Sequence, residues 1–219
     1  MSAKKKKTKI TKIQRSNAVE ITSSQVKELR EKTGVGMMDC KVALKECDGD
    51  MEQAIDYLRK KGIATAQKRG GRAAKEGQIC SYIHTGGKIG VLVEVNCETD
   101  FSAKTPDFSE FVKNVAMHIA ASNPLVVDRK DITPELIARE KDIYMTQAKE
   151  TGKPANVLEK IVEGKMQKFY AEVSLLEQQY VKNPDIKVQD LMNELIAKTG
   201  EKVVISRFVR YQLGETSNE

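Results

Sequence analysis

The sequence predicts an α+β protein in which a small helical unit precedes a larger module that combines strands and helices. Apolar residues recur at the helical spacing i, i+3, i+4 and i+7 between residues 20 and 62, and again in several later segments. Residues 89–97 instead alternate, which places Ile89, Val91, Val93, Val95 and Cys97 on one face of a strand. A chain of 219 residues suffices for one large domain or two small ones.

Residues 20–62 are predicted to form a compact unit of three short helices. The first helix begins at a capping box, Thr22 followed by Gln25, and Gly34 breaks the chain after it. Gly62 is expected to end the third helix. The second and third helices are predicted from two apolar stripes: Cys40, Ala43, Leu44 and Cys47, and Met51, Ala54, Ile55 and Leu58.

Three segments are predicted to lie outside the packed units. Residues 1–19 hold seven basic residues and no acid, so they account for the net charge of +6, and the remaining chain is nearly neutral. We expect a disordered basic tail. A solubility tail, a weak contact with RNA or ribosomes, and a transit peptide are the open alternatives. Residues 63–76, with Gly70, Gly71 and no apolar period, are predicted to be a linker, and residues 215–219 a C-terminal tail.

Residues 77–214 are predicted to form one core domain with a three-stranded antiparallel sheet. Strands at 78–84 and 88–97 are joined by Thr85-Gly86-Gly87, which is typical of a hairpin. A last strand at 202–212 can join them as the third. The predicted helices are one marked by Phe108, Phe111, Val112, Val115 and Ile119, an antiparallel helical hairpin over 134–172, and one marked by Val188, Leu191, Met192, Leu195 and Ile196 that ends at Gly200.

Composition and motifs argue against several classes of protein. No apolar run approaches the roughly 20 residues that span a bilayer, and no secretory signal is expected. The sequence contains no phosphate-binding loop, dinucleotide fingerprint or nucleophile elbow. The four cysteines include no CxxC pair and the two histidines are far apart, so we predict no metal, no cofactor and no catalytic residues. Cysteines used as core residues indicate a reducing compartment, here the cytoplasm.

One candidate surface lies on the second predicted helix. If Leu44 faces the core, Met38 and Val42 point to nearly the opposite side. Lys41 and Lys45 flank this apolar pair. An apolar pair rimmed by bases is typical of a docking surface, and chance exposure of two residues is the equal alternative.

A second candidate lies in residues 96–104, NCETDFSAK, where the strand pattern stops and a loop is expected. Phe101 follows the carboxylate of Asp100 there. Folding of Phe101 onto Phe108 as ordinary core would contribute roughly 1.5–3 kcal/mol. The alternative is an anchor for a pocket on another molecule, the kind of residue that dominates binding.

The two histidines carry weaker signals. His84 precedes a Gly-Gly turn and is expected at an exposed hairpin tip, while His118 lies beside the apolar stripe of its helix. A partly buried, hydrogen-bonded side chain and a contact with a partner are the two open alternatives for His118.

Several stretches carry a resemblance to a known family, and it spans nearly all of residues 20–214. They are VKELREKTGVGMMDCKVAL (26–44), VNCETDFSAK (95–104), AMHIAASNP (116–124), GKP (152–154) and EGKMQKF (163–169). Together they resemble the bacterial elongation factor Ts family, the guanine-nucleotide exchange factors of elongation factor Tu. MMDCK and TDF are the most specific of these motifs.

The resemblance implies a mechanism and a set of partner-binding residues. The helical unit is similar to a ubiquitin-associated domain and would dock on the G domain of elongation factor Tu. The TDF loop would insert near the bound nucleotide, beside its magnesium, and promote GDP release without chemical catalysis. The implied partner-binding residues are Arg30, Met37, Met38 and Lys41 on the helical unit, Thr99, Asp100 and Phe101 in the loop, and His118.

The chain also departs from the family pattern. Many members carry two copies of the core module, whereas this chain carries one, and in this it is similar to members that form homodimers. The long C-terminal helix of other members is absent from this sequence. An RNA- or ribosome-binding protein is the alternative function, because of the basic tail and the bases of the linker.

Overall fold

A computed structural model of the chain describes residues 21–69 and 71–215. The predicted basic tail and the end of the predicted C-terminal tail therefore lie outside the described residues. The chain divides after Leu58 into two compact units.

The first unit contains the predicted helices, α1 (Ser23–Thr33), α2 (Met37–Glu46) and the start of α3 (Met51–Arg69). The capping box of Thr22 and Gln25 is present, and α1 ends at Gly34, whose φ of 68° suits glycine. The helices pack through apolar side chains that include Val26, Leu29, Cys40, Ala43, Leu44, Ala54 and Leu58. Three helices in this order were predicted, and the similarity to a ubiquitin-associated domain stays a prediction.

The prediction that the third helix ends at Gly62 is wrong, because the helix continues to Arg69. The first half of the predicted linker is therefore helical. A Cβ at Gly62 would lie 3.1 Å from the Cβ of Ala197 and 3.4 Å from the carbonyl oxygen of Asn193. This glycine therefore permits close packing, and its cost within a helix is only about 1 kcal/mol.

The second unit contains the other strands and helices. In chain order they are β1 (Glu76–Ile83), β2 (Ile89–Cys97), α4 (Asp100–Ala103), α5 (Pro106–Ser122), α6 (Pro134–Lys149), α7 (Ala155–Val173), β3 (Gln179–Tyr180), β4 (Asn183–Lys187), α8 (Val188–Thr199) and β5 (Val203–Gln212). The short elements α4, β3 and β4 were not predicted. Two 3₁₀ turns, Arg129–Asp131 and Leu175–Glu177, were also missed. All of these missed segments are too short to show a period.

The predicted antiparallel sheet is confirmed, with the strand order β1-β2-β5. The central strand β2 buries Val91, Val93, Val95 and Cys97 in a core shared with α5 and α8, as the alternation indicated. At the end of this pairing Cys97 lies opposite Val203. The fold thus places residue 98 of one strand end beside residue 202 of the other.

The helical hairpin is also confirmed. Helices α6 and α7 pack on each other around Ala148, Val162, Met166 and Phe169, and the chain turns between them at Gly152, whose φ is 66°. No helix among residues 21–69 and 71–215 is long and apolar enough to cross a membrane.

The opposite face of the sheet is not covered within the described residues. We call it the outer face, and its large apolar residues are Ile79, Ile83, Leu92, Val209 and Tyr211, all exposed. Leu92 lies directly opposite Val209 in the register. Glu94 and Arg207 form an ion pair at 2.7 Å on the same face, so it carries one charge of each sign.

Candidate functional site

The TDF segment is a capped helical turn rather than a loop. Thr99 adopts an extended backbone conformation, and its hydroxyl accepts a hydrogen bond from the Ser102 amide at 3.3 Å, so it caps α4. The amide of Lys104 donates to the carbonyl of Asp100 at 3.1 Å. Thr105 then caps α5 immediately after the turn. Residues 99–105 therefore have a defined backbone between two caps.

Phe101 is the most exposed large apolar side chain among the described residues. The residue is 85% exposed, while Ser102 and Ala103 of the same turn are buried. Phe108 is fully buried in the core, and Phe101 does not fold onto it. The alternative of Phe101 as ordinary core is therefore wrong. The turn uses its small residues to pack on the fold and points its aromatic residue into solvent.

Asp100 forms an ion pair with Lys104, one helical turn later, at 2.7 Å. The hydrogen bond from Lys104, followed by its charge, lowers the pKa of Asp100 below its ordinary value. Asp100 is therefore a carboxylate at neutral pH. Both side chains are exposed, and exposed pairs contribute little to stability. Asp100 could therefore give up its ion pair with Lys104 and bind a donor on another molecule at little cost in free energy.

The predicted docking surface of the first unit has the orientation expected from the sequence. Met38 is 73% exposed, and Met37 and Val42 are also exposed, while Cys40 and Leu44 on the opposite side of α2 are fully buried. The helical phase inferred from the sequence is thereby confirmed. Lys41 and Lys45 of α2 are exposed as well, and so is Arg30 at the end of α1. The helix therefore exposes an apolar group together with basic side chains and one acid, Asp39.

His118 does not lie on a surface. Its ring is fully buried, Nε2 lies 2.9 Å from Oε1 of Gln178, and Nδ1 accepts a bond from the Val181 amide at 3.2 Å. Burial lowers the pKa of His118, so the ring is neutral. The structure thus matches the alternative of an internally bonded histidine. A contact of His118 with a partner stays a prediction, and it would require this packing to open.

Glu201 is a residue of this site that sequence reasoning missed. Its carboxylate accepts two hydrogen bonds from Thr99, one from the amide at 3.0 Å and one from the hydroxyl at 2.7 Å. Thr99 and Glu201 are 102 positions apart, and no local pattern connects them. Only the pairing of β2 with β5 brings them together.

The described residues contain no group of three or more histidine, cysteine, aspartate or glutamate side chains that could hold a metal ion. Cys40 and Cys97 are buried among apolar side chains. The site therefore consists of two features. One is the exposed ring of Phe101 on a turn of defined backbone, beside the carboxylate of Asp100. The other is the exposed surface of α2 around Met37 and Met38. Both features are suited to binding a protein.

Comparisons with known proteins point in one direction. A family model described as elongation factor TS matches residues 6–215 of the chain. The chain is 61% identical to elongation factor Ts of Syntrophobacter fumaroxidans over 196 residues, which is 90% of this chain and 98% of that protein. It is 60% identical to elongation factor Ts of Geobacter metallireducens over 197 residues, which is 90% of this chain and 91% of that protein.

Proposed function

Because this chain belongs to the elongation factor Ts family of translation factors, we propose that it is a guanine-nucleotide exchange factor. It binds elongation factor Tu in its GDP form and promotes the release of GDP in the cytoplasm. The observation that carries this proposal is the 85% exposure of Phe101 on a turn capped at its start. A ring so exposed contributes little to folding, and a fixed backbone presents it to a partner.

Phe101 inserts into an apolar pocket of the partner, close to the bound nucleotide. Buried aromatic side chains commonly carry most of the energy of an interface. Asp100 enters beside it. Its weak ion pair with Lys104 breaks, and its carboxylate competes for hydrogen-bond donors around the magnesium of the partner. Nucleotide phosphates depend on backbone donors and on that metal ion, so disturbing either group weakens the binding of GDP.

The first unit supplies a second, separate contact. Met37 and Met38 form its apolar centre, and Arg30 and Lys41 its basic rim. We assign this surface to docking on the G domain of the partner, with a ubiquitin-associated-like fold as the scaffold. Flexible methionine side chains adapt well to a partner's surface.

Exchange follows from linkage rather than from chemistry. No bond is made or broken, and the protein is not an enzyme in this mechanism. It acts by binding the partner more tightly when the nucleotide is absent. Coupling is reciprocal, so GDP weakens the binding of this chain by the same factor by which this chain weakens the binding of GDP.

The decisive experiment is the release of fluorescent GDP from purified elongation factor Tu, chased with excess unlabelled GDP. The chain should accelerate release in a saturable manner. The affinity of this chain for elongation factor Tu should also be measured with and without GDP. The ratio of these two affinities should equal the factor by which this chain weakens the binding of GDP. Release that stays at its spontaneous rate at saturating chain would refute the proposal.

We also propose that the chain forms a homodimer through the outer face of its sheet. The exposure of Ile79, Ile83, Leu92 and Tyr211 on one face of the sheet supports this, because monomers rarely leave a large contiguous apolar patch uncovered. The pair of Glu94 and Arg207 leaves the face without net charge, so two copies do not repel each other. Sedimentation should give a dimer for the wild type and a folded monomer for Ile79→Asp. A monomeric wild type would refute this.

A further inference from the structure

Two glutamates join the start of the TDF turn to the start of β5 in a reciprocal arrangement. Glu201 accepts the backbone amide of Thr99 at 3.0 Å, and Glu98 accepts the backbone amide of Lys202 at 2.7 Å. Each acid thus lies on one segment and binds the main chain of the other. We call these four residues, Glu98, Thr99, Glu201 and Lys202, the clasp.

The clasp lies where the main-chain ladder stops. The pairing of β2 with β5 ends at Cys97 opposite Val203, and the next residues of the two segments are those of the clasp. Carboxylates therefore replace main-chain carbonyls as acceptors at this point. Hydrogen bonds to an ionised acceptor are about twice as strong as neutral ones, so the connection holds although the strands have ended.

Further bonds strengthen the clasp on both sides. The hydroxyl of Thr99 donates to Glu201 at 2.7 Å, and that same oxygen accepts the amide of Ser102. Arg72 pairs with Glu98 at 3.1 Å, and its carbonyl accepts the side chain of Lys202 at 2.7 Å. Thr99 is therefore held by Glu201 and in turn caps α4, so the hydrogen bonds lead from the segment just before β5 to the residue before Asp100 and Phe101.

We infer that Glu201 is a positioning residue for nucleotide exchange, acting through Thr99 on the direction of the Asp100–Phe101 turn. This inference rests on the proposed function. Without the clasp, the turn would have to be ordered when the partner binds, and fixing a free backbone costs conformational entropy. With the clasp, the turn is already ordered when the protein folds. The binding free energy of Phe101 is then not spent on ordering the turn and can weaken the binding of the nucleotide.

The first test uses the free protein and needs no partner. Hydrogen exchange should be about tenfold or more faster at the Thr99 amide in Glu201→Ala than in the wild type, because a charge-assisted bond is lost. Asp190→Ala is the matched control, since Asp190 also accepts a backbone amide, that of Lys187 at 3.1 Å, and pairs with Arg59, but lies at the opposite end of α8 from Glu201. Equal rates of hydrogen exchange at residues 99–104 in the two variants would overturn the inference, whether or not the protein promotes GDP release.

The second test measures GDP release from elongation factor Tu over a range of concentrations of this chain. Glu201→Ala should lower the maximal rate about tenfold and change the half-saturating concentration less than threefold, because the surface on α2 still binds. Glu201→Gln should recover most of the rate, since an amide can accept the Thr99 amide and donate to its hydroxyl. Asp190→Ala should behave as the wild type.

A double variant distinguishes positioning from a general loss of stability. If Glu201 acts through Phe101, adding Glu201→Ala to Phe101→Ala should cause no further fall in the rate. Fully additive effects, or a full rate in Glu201→Ala despite faster amide exchange, would overturn the inference. A wild-type chain that does not accelerate release would refute the proposed function instead, and the amide measurement would still decide whether the clasp holds the turn.

Discussion

Phe101→Ala tests the proposed mechanism most directly. Phe101 is 85% exposed in the free chain, so removal of its ring should change the free energy of unfolding by no more than about 0.5 kcal/mol. In the complex the whole ring would be buried, and loss of such an anchor costs roughly 2 kcal/mol or more. That corresponds to about a thirtyfold loss in nucleotide displacement. Phe101→Ala should thus strongly reduce the release of GDP from elongation factor Tu and leave the stability of the free protein nearly unchanged.

Phe108→Ala is the matched control, because the same residue type lies seven positions later and is fully buried. Its loss should cost about 3–5 kcal/mol of stability, while its remaining folded fraction should still promote exchange. The two assays are chemical denaturation of the free protein and release of fluorescent GDP from elongation factor Tu. Asp100→Ala should reduce exchange without unfolding, and the double variant should lose less than the sum of the two single losses.

Two results would refute this reasoning. One is a Phe101→Ala protein destabilised by several kcal/mol, which would mean that the ring packs on the fold in solution. The other is a stable Phe101→Ala protein that exchanges nucleotide at the full rate, which would exclude insertion of the ring as the source of exchange.

The remaining predictions concern the first unit, the buried histidine and the helical hairpin. Met38→Ala and Lys41→Ala should weaken association with elongation factor Tu in a binding titration but keep stability within about 0.5 kcal/mol; a loss above about 2 kcal/mol would place Met38 in the core. Burial lowers the pKa of His118 in the folded state, so the unfolded chain binds its proton first, and stability should fall as pH drops below about 6.5. His118→Gln should make that slope shallower in urea titrations, and an unchanged slope would contradict the assignment. A Cβ at Gly164 meets nothing within 4 Å, so Gly164→Ala should raise stability by about 1 kcal/mol, and a lower melting temperature would count against it.

The sequence alone determined the features that depend on neighbours along the chain. The capping box of Thr22, the stripe of Cys40 and Leu44, and the alternation of 89–97 all appear in the structure as predicted. Each signal lies within a few residues, because caps and apolar periods are properties of a local backbone. The exposure of Met38 followed from the same local phase.

The tertiary structure decided what depends on residues far apart in the sequence. Phe101 could have folded onto Phe108, and nothing local to the turn excluded it. His118 is buried because β3 and the preceding residue Gln178 close over it, and α3 continues through Gly62 because another helix lies against it. Glu201 reaches Thr99 only because β2 and β5 pair. Whether a side chain is buried or exposed depends on which distant segments pack against it, and a local pattern records the face of an element but not what covers that face.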